Sequence, residues 1–318
     1  MIMSSLNTNY PPVTVYVITY NSSDTVVETL ESIKEQTYQN IGLIVSDDCS
    51  TDDTVNICSD WMRENRSRFT FTQMITTSQN TGVSGNVNRA LDACKTNFCK
   101  GIAGDDKLLP ECVSKNVDFM MSHPDSVAVF SKVKIVGEAR YVRKYVSPFD
   151  YSFFSLCAKE QNQRLREKGN CVPAASVFFR IDSLRNNGIR CDERIPMLDD
   201  LPLWCNLTER GIKLDFFDDY TVGYRVGPGS LTTSRLPHKS LVSGRLFRLY
   251  YVFEKEYQIN KDKAIEKLAE EEVSMLEGSL DYQVGSRILK PFRRIDHSSF
   301  WRFLLIPLKR YKKHWNNS

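Results

Sequence analysis

Pairs of adjacent carboxylates recur along this chain, and they are the residues best suited to chemistry. Asp105-Asp106 follows a hydrophobic run and Gly104. Two neighbouring carboxylates in that place suit a hard divalent cation, which keeps some of its water and takes its remaining oxygens from a diphosphate. Such a cation would neutralise charge developing on a departing nucleoside diphosphate. The plainer alternative is a turn that caps a helix ahead of Pro110. Asp47-Asp48 ends another hydrophobic run and precedes Ser50 to Thr54, which are rich in N-cap residues. Capping explains Ser50 or Asp52 but leaves two acids upstream, which can accept from a base N–H or a ribose hydroxyl. Asp199-Asp200 stands before a helical run, whose positive end favours acids in any case. Asp218-Asp219 reads as a solvated turn after a strand-like run.

These acids need elements to position them. Buried-strand patterns are predicted at 13–19, 41–46, 69–76 and 98–103. A helix capped by Ser22 or Ser23 carries Val26, Leu30 and Ile33 at i, i+4 and i+7. A second helix carries Val55, Ile57 and Trp61, and a third Val83, Val87, Ala90, Leu91 and Cys94. Strand–helix alternation of this kind predicts right-handed crossovers and an α/β fold with a mostly parallel sheet. Ligands bind beyond the carboxyl ends of such strands, where two of the acidic pairs fall. In the second half a long strand is expected over 127–136 and a helix over 151–168, ended by Gly169. A strand follows at 175–180, then a helix over 201–210 stopped by Gly211, and strands at 213–217 and 221–226. Helices dominate 240–279, where Ile265, Leu268, Val273 and Leu276 share a face with Glu272. Internal repeats and low-complexity segments are absent.

Of the 318 residues, 41% are hydrophobic and 25% charged, the balance of an ordinary globular protein. Forty-two Lys+Arg against 39 Asp+Glu give a formal +3, which argues against a nucleic-acid binder. Nine cysteines without a Cys-x-x-Cys pair argue against zinc. The opening MIMSSLNTNYPP lacks the basic and apolar regions of a secretory leader, so reduced thiols in a cytoplasm are expected. The apolar run 303–308 is far short of the ~20 residues of a membrane span. Residues 287–318 hold nine Lys/Arg and one acid, Asp296, a net +8 that leaves −5 for residues 1–286. On a helix, Trp301, Leu304, Leu308, Tyr311 and Trp315 form one stripe and Arg302, Lys309 and Lys313 another. Such faces suit an anionic membrane surface, with Pro307 as a kink. The alternative is a tail packed on its own domain with its cations solvated.

The blocks VTVYVITYN, IVSDDCSTDDT, NTGVSGNVNRALDAC and GIAGDD, in this order, resemble the GT-A glycosyltransferases of family 2. The resemblance is strong from Val13 to about Leu109 and looser to about Tyr224. It implies a GT-A, Rossmann-like sheet flanked by helices, with a helical C-terminal extension. The nucleotide-binding half would span 12–110 and the acceptor-binding half 111–230. Residues 1–11 would form an N-terminal extension, 231–286 a helical region and 287–318 the basic tail.

By the same resemblance Thr19 and Tyr20, with Asn21 beside them, hold the nucleotide base, and Asp48 reads a uracil ring. Arg89 falls where the family places a nucleotide contact. Asp105 lies nearer the ribose and Asp106 on the metal, Mn2+ or Mg2+. Cys49 departs from the commoner glycine-like position, and Asp53 adds a charge. Met197 to Trp204 matches the family's acidic pair before a helix, which implies Asp200 as general base and Asp199 as helper or cap; Asp219 is the rival base.

The implied reaction is inverting transfer of one sugar, forming a β-linkage, from a UDP-sugar such as UDP-glucose or UDP-galactose. The acceptor implied by the tail and family habit is a lipid-diphosphate-linked sugar, for example GlcNAc-diphospho-undecaprenol in O-antigen or other surface-polysaccharide assembly. The protein would then lie peripherally on the cytoplasmic side of the inner membrane. The Gln-x-x-Arg-Trp block of processive synthases is absent. A nucleotidyltransferase would need a glycine-rich basic loop where Thr19-Tyr20-Asn21-Ser22 stands. A non-catalytic nucleotide-sugar-binding subunit is the remaining alternative. Arg225 and His238 are secondary candidates for the diphosphate, and Gly227-Pro228-Gly229 for a closing loop.

Overall fold

The computed structural model describes residues 10–143, 145, 147–195, 197–227 and 244–277. The chain divides into two compact units, Met1–Leu236 and Pro237–Ser318. In the first, β1 (Val13–Thr19), β2 (Ile41–Asp47), β3 (Thr72–Ile75) and β4 (Phe98–Ala103) alternate with α1 (Val26–Lys34), α2 (Thr54–Glu64) and α3 (Gly82–Ala93). Then come β5 (Lys107–Leu108), α4 (Cys112–Ser122), β6 (Ala128–Gly137), α5 (Ala139–Val142) and α6 (Ala158–Lys168). The series ends with β7 (Phe178–Arg180), α7 (Ile181–Asn186), α8 (Asp200–Glu209) and β8 (Leu214–Val226).

The eight strands form one sheet in the order β3-β2-β1-β4-β7-β6-β8-β5. β1 is parallel to β2 and β4, with Thr19 opposite Asp47 and Ile18 opposite Ala103. The loops after all three strands therefore leave the sheet at one edge. β7 runs antiparallel between β4 and β6. β8 pairs in parallel with β6 and antiparallel with β5, placing Gly223 opposite Lys107. This returns the end of β8 to the segment just after Asp105-Asp106. Continuous apolar strands such as Val13, Val15 and Val17 are fully buried against Leu30 and Ile33 of α1, as expected of strands covered on both faces.

One cation lies inside this core. Lys100 on β4 is fully buried, and its Nζ donates to the carbonyls of Gly101 (2.7 Å), Ala175 (2.6 Å) and Val177 (3.2 Å). Burial lowers the ammonium pKa. Of the last two acceptors, Ala175 lies within the 3-10 turn Ala174–Ser176 and Val177 caps it, where the chain departs from the β-ladder and a carbonyl otherwise lacks a partner.

Several predicted elements differ in detail. The strand expected over 69–76 is confined to Thr72–Ile75, because Arg66–Arg68 closes a 3-10 turn and Arg68 ties it to the carbonyls of Lys34, Gln36 and Tyr38. The helix expected over 151–168 is a 3-10 turn at Tyr151–Ser155 followed by α6, which starts at a capping box between Cys157 and Glu160. The strand expected over 175–180 shrinks to β7 for the reason just given. Ser22 contributes its carbonyl, not its hydroxyl, to the start of α1. The expected strands 213–217 and 221–226 are one continuous strand, so Asp218-Asp219 lies within β8 and is not a turn.

The second unit contains a π-helical turn, Arg248–Val252, and helices Glu254–Ile259 and Lys261–Glu277. Leu249, Phe253, Ala264 and Leu268 form its small core, with Ile265 against it. The side chains of Glu272, Val273 and Leu276 lie outside the described residues. So do the segment containing Pro228, Gly229 and His238 and the basic segment 287–318.

Candidate active site

Two loops after β1 and β2 are bound to each other by side chains that the sequence offers as nucleotide ligands. Thr19 Oγ1 donates to Asp47 Oδ2 at 2.8 Å, and Asp47 also accepts from Ser50 N–H and Oγ–H. Thr19 and Asp47 are buried, so both serve the loop. Asn21 N–H donates to Ser50 Oγ and Asn21 Oδ1 accepts from Thr51 N–H, each at 2.8 Å. Asn21 (φ 51°) and Cys49 (φ 66°) both hold left-handed backbone. That conformation costs a non-glycine residue roughly 1–2 kcal/mol, and two such residues facing each other mark a loop pair shaped for a purpose. Tyr20 between them is 50% exposed, leaving its ring free for a planar ligand.

Asp48 is the centre of a second knot. Its carboxylate accepts from Thr81 N–H, Thr81 Oγ–H (2.7 Å), Gly82 N–H (2.8 Å) and Arg89 Nη2 (2.7 Å). Four donors match the acceptor capacity of a carboxylate, and the residue is only 2% exposed. Arg89 also donates to Thr81 Oγ1 and Asn86 Oδ1, while its buried Nε has no partner. Because Gly82 starts α3, the knot fixes where that helix begins. A ligand N–H reaches Asp48 only by replacing one of these donors.

Asp105 and Asp106 sit beyond β4. Gly104 is packed against Thr19 and Ser22, and a Cβ there would lie 3.0 Å from the Thr19 methyl, so the acidic turn approaches β1 closely. Arg225, at the end of β8, donates its N–H to Asp106 Oδ1 (2.8 Å) and its Nε to the Asp105 carbonyl (2.7 Å). Its Nη2 and Lys107 Nζ both meet Glu28 Oε2 at 2.5 Å. Among the described residues Asp106 Oδ2 has no donor. Burial, and then the neighbouring Asp105 charge, raise the Asp106 pKa to about 8; burial raises that of Asp105 as well. Two crowded, under-satisfied carboxylates favour a proton or a cation.

α3 also carries the anchor for the other acids. Ser84 Oγ donates to the Ile195 carbonyl, and Asn88 holds both the Cys191 backbone and Glu193. The chain then enters α8 at Asp199-Asp200. Burial followed by Asp200 pushes Asp199 up to about 7, and burial raises Asp200. Both retain partial contact with solvent. Asp200 Oδ1 accepts from Leu201 N–H at 2.6 Å, and Oδ2 accepts from Asn170 Nδ2. The rival pair is otherwise engaged. Lys115 Nζ meets Asp219 at 2.7 Å and holds its carboxyl below the ordinary range, and Lys132 meets Asp218.

The sheet register thus brings 19–21, 47–48 and 104–106 to one edge, and α3 connects the first two to the segment leading into Asp200. Sequence reasoning missed Asn170, Lys100 and Glu28, and it offered Arg225 only as a secondary candidate for the diphosphate, without its bracing of the acidic turn. A fully buried lysine inside an apolar strand was the one readable signal. Among the described residues no cluster of three or more His, Cys, Asp or Glu forms a metal cage, and no helix is long and apolar enough to cross a membrane.

Comparison with known proteins bears on the same region. The Glycosyl transferase family 2 profile matches residues 14–185. UDP-Glc:alpha-D-GlcNAc-diphosphoundecaprenol beta-1,3-glucosyltransferase WfaP of Escherichia coli is 26% identical over 225 residues, 70% of this chain and 80% of its own. GalNAc(5)-diNAcBac-PP-undecaprenol beta-1,3-glucosyltransferase of Campylobacter jejuni is 30% identical over 105 residues, 33% of each chain. The S. aureus TarS 1–349 structure in complex with UDP-GlcNAc superimposes with a TM-score of 0.56 at 20% identity, covering 75% of this chain and 66% of that one. In a further TarS structure this chain spans only 39% of that chain's length. The structural likeness shows the GT-A-like fold, and the profile match, over more than half of the sequence, shows the family. This chain belongs to glycosyl transferase family 2.

Proposed function

We propose that the protein transfers one sugar, with inversion, from a UDP-sugar to a lipid-diphosphate-linked sugar during surface-polysaccharide assembly. The observation that carries the reading is the contrast between the under-satisfied acids Asp105 and Asp106 and the fully bonded loops around them. The two relatives named for lipid-diphosphate acceptors support the acceptor class, and both are named as glucosyltransferases, which favours UDP-glucose over UDP-galactose.

Asp105 and Asp106 suit a divalent cation, Mn2+ or Mg2+, that takes its other oxygens from the donor diphosphate, because two carboxylates alone are too few for a closed protein site. When bound, the cation supplies positive charge at the leaving diphosphate. The chain's own residues do the remainder. Tyr20 stacks on the base, and Asp48 accepts its N–H in place of one of the donors from Thr81, Gly82 and Arg89. Asp105 faces the ribose. Arg225 keeps the acidic turn in register with β8, as Glu28 braces Arg225. Asp200 takes the proton of the acceptor hydroxyl as that oxygen attacks the anomeric carbon opposite the diphosphate. Asp199 assists by sharing the proton load of the pair. The basic segment 287–318 then holds the enzyme on the cytoplasmic face of the inner membrane, where such acceptors reside.

A panel of UDP-sugars with Mn2+ and a GlcNAc-diphosphate-lipid analogue, followed by linkage analysis, tests this reading. A β-linked glucosyl product that requires Asp200 is expected. UDP release without dependence on any acceptor or on Asp200 would contradict it.

A further inference from the structure

Asn170 lies in the turn after α6, where Gly169 (φ 80°) ends the helix. The orientation of its amide follows from its bonds. Oδ1 accepts from Val172 N–H at 3.1 Å, so Nδ2 is the donor, and it donates to Asp200 Oδ2. The other oxygen of Asp200 accepts from Leu201 N–H on its own helix. The carboxylate is thus held between two donors on different elements, and its plane is fixed. The turn carrying Asn170 is itself anchored. Cys171 and Val172 are buried, the Cys171 carbonyl accepts from Asp150 N–H at 2.9 Å, and Lys100 grips Ala175 and Val177 just beyond.

We propose that Asn170 is the positioning residue for Asp200, orienting its carboxylate toward the acceptor hydroxyl and stabilising its ionised form. This rests on the reading of Asp200 as the base. An amide N–H donated to a carboxylate oxygen favours the charged form over the protonated one. The Leu201 N–H on the other oxygen acts in the same sense, and the remaining groups that face Asp200 act the other way or not at all. Asp199 repels its charge and burial disfavours it, while the Cys191 and Cys205 thiols are pushed up by burial first and by that charge to a lesser degree. Asn170 therefore helps to keep Asp200 ionised and open to a proton, beside Asp199, which burial and then its neighbour's charge push toward the protonated form.

The test reads Asp200 directly. In full-length protein labelled with γ-13C aspartate, the Asp200 resonance is the one missing from Asp200→Asn, and its shift is followed against pH. Asn170→Ala is expected to raise the midpoint by about one pH unit, the worth of a hydrogen bond to a charged group. Asn170→Asp, which keeps the shape and replaces the donor with another acid, should raise it further. In transfer from UDP-glucose to the GlcNAc-diphosphate-lipid analogue, Asn170→Ala should lower kcat about tenfold and move the acid limb of its pH profile upward with little change in donor KM. An unmoved midpoint in both variants, each unfolding as cooperatively as the parent, overturns the assignment. If Asp200→Asn abolishes transfer while the midpoint ignores Asn170, only the role of Asn170 fails. If Asp200→Asn transfers normally, the base reading fails with it.

Discussion

The acids of this protein fall into two groups that look alike in sequence and opposite in structure. Asp47 and Asp48 are buried and saturated with donors from Thr19, Ser50, Thr81, Gly82 and Arg89. Asp105, Asp106, Asp199 and Asp200 have few donors for their surroundings, and burial raises the pKa of all four. A carboxylate whose lone pairs are filled stabilises a loop. One that is desolvated and short of donors is a place where a cation or proton is welcome. Burial alone does not separate the two groups, since Asp48 and Asp106 are exposed by 2% and 3%. The number of donors does.

Substitutions can break or sharpen this contrast. The largest effect is expected at the proposed base: Asp200→Asn should lower transfer by about 10²–10⁴-fold with donor binding retained. Asp219→Asn, whose carboxylate meets the ammonium of half-buried Lys115, should stay within about twofold. Asp48→Asn replaces one of the two oxygens that hold four donors with an NH2 that faces them, so it should cost about 2–3 kcal/mol of stability in chemical denaturation. Asp106→Asn should do the reverse in cation-free protein above about pH 8, where Asp106 is ionised, raising Tm by a few degrees as it removes a desolvated charge, while abolishing the response to Mn2+. The smallest change is expected at Cys49→Gly, a gain of ~0.5–1 kcal/mol from relief of left-handed backbone.

The second group also dictates a pH dependence. Asp106 at about 8 and Asp199 at about 7 lie above the unfolded value of ~3.9. Between those values the folded protein holds more protons than the unfolded chain, so stability falls as pH rises from about 4 to 8. Tm of cation-free protein should therefore be lower at pH 8 than at pH 5. Mn2+ should raise Tm more at pH 8 than at pH 5, because fewer Asp106 carboxyls then hold a competing proton. Equal stabilisation at both pH values would place the cation elsewhere.

Much of the nucleotide-side architecture was legible in the sequence because β1, β2 and β4 are buried on both faces and read as uninterrupted apolar runs. The positions of Asp48, Asp105 and Asp106 at strand ends followed from that pattern. The continuous β8 was not legible, because Asp218-Asp219 resembles a break until Lys132 and Lys115 on neighbouring elements engage it. The helix expected over 151–168 failed because apolar Phe153 and Phe154 extend the pattern across a break set by the Cys157–Glu160 capping box. What each acid does depends on partners distant in sequence. Asp48 meets Arg89, Asp106 meets Arg225 and Asp200 meets Asn170. No local spacing encodes those pairings, so the sequence identified the acids without sorting them.

The most direct test of that sorting is calorimetric titration of UDP into the full chain with and without Mn2+, in the parent and in Asp106→Asn. Binding that tightens at least tenfold with Mn2+, and that loses this dependence in Asp106→Asn but keeps it in Asp200→Asn and Asp219→Asn, is the expected result. UDP binding of equal strength without the cation, or with Asp106 replaced, would contradict it.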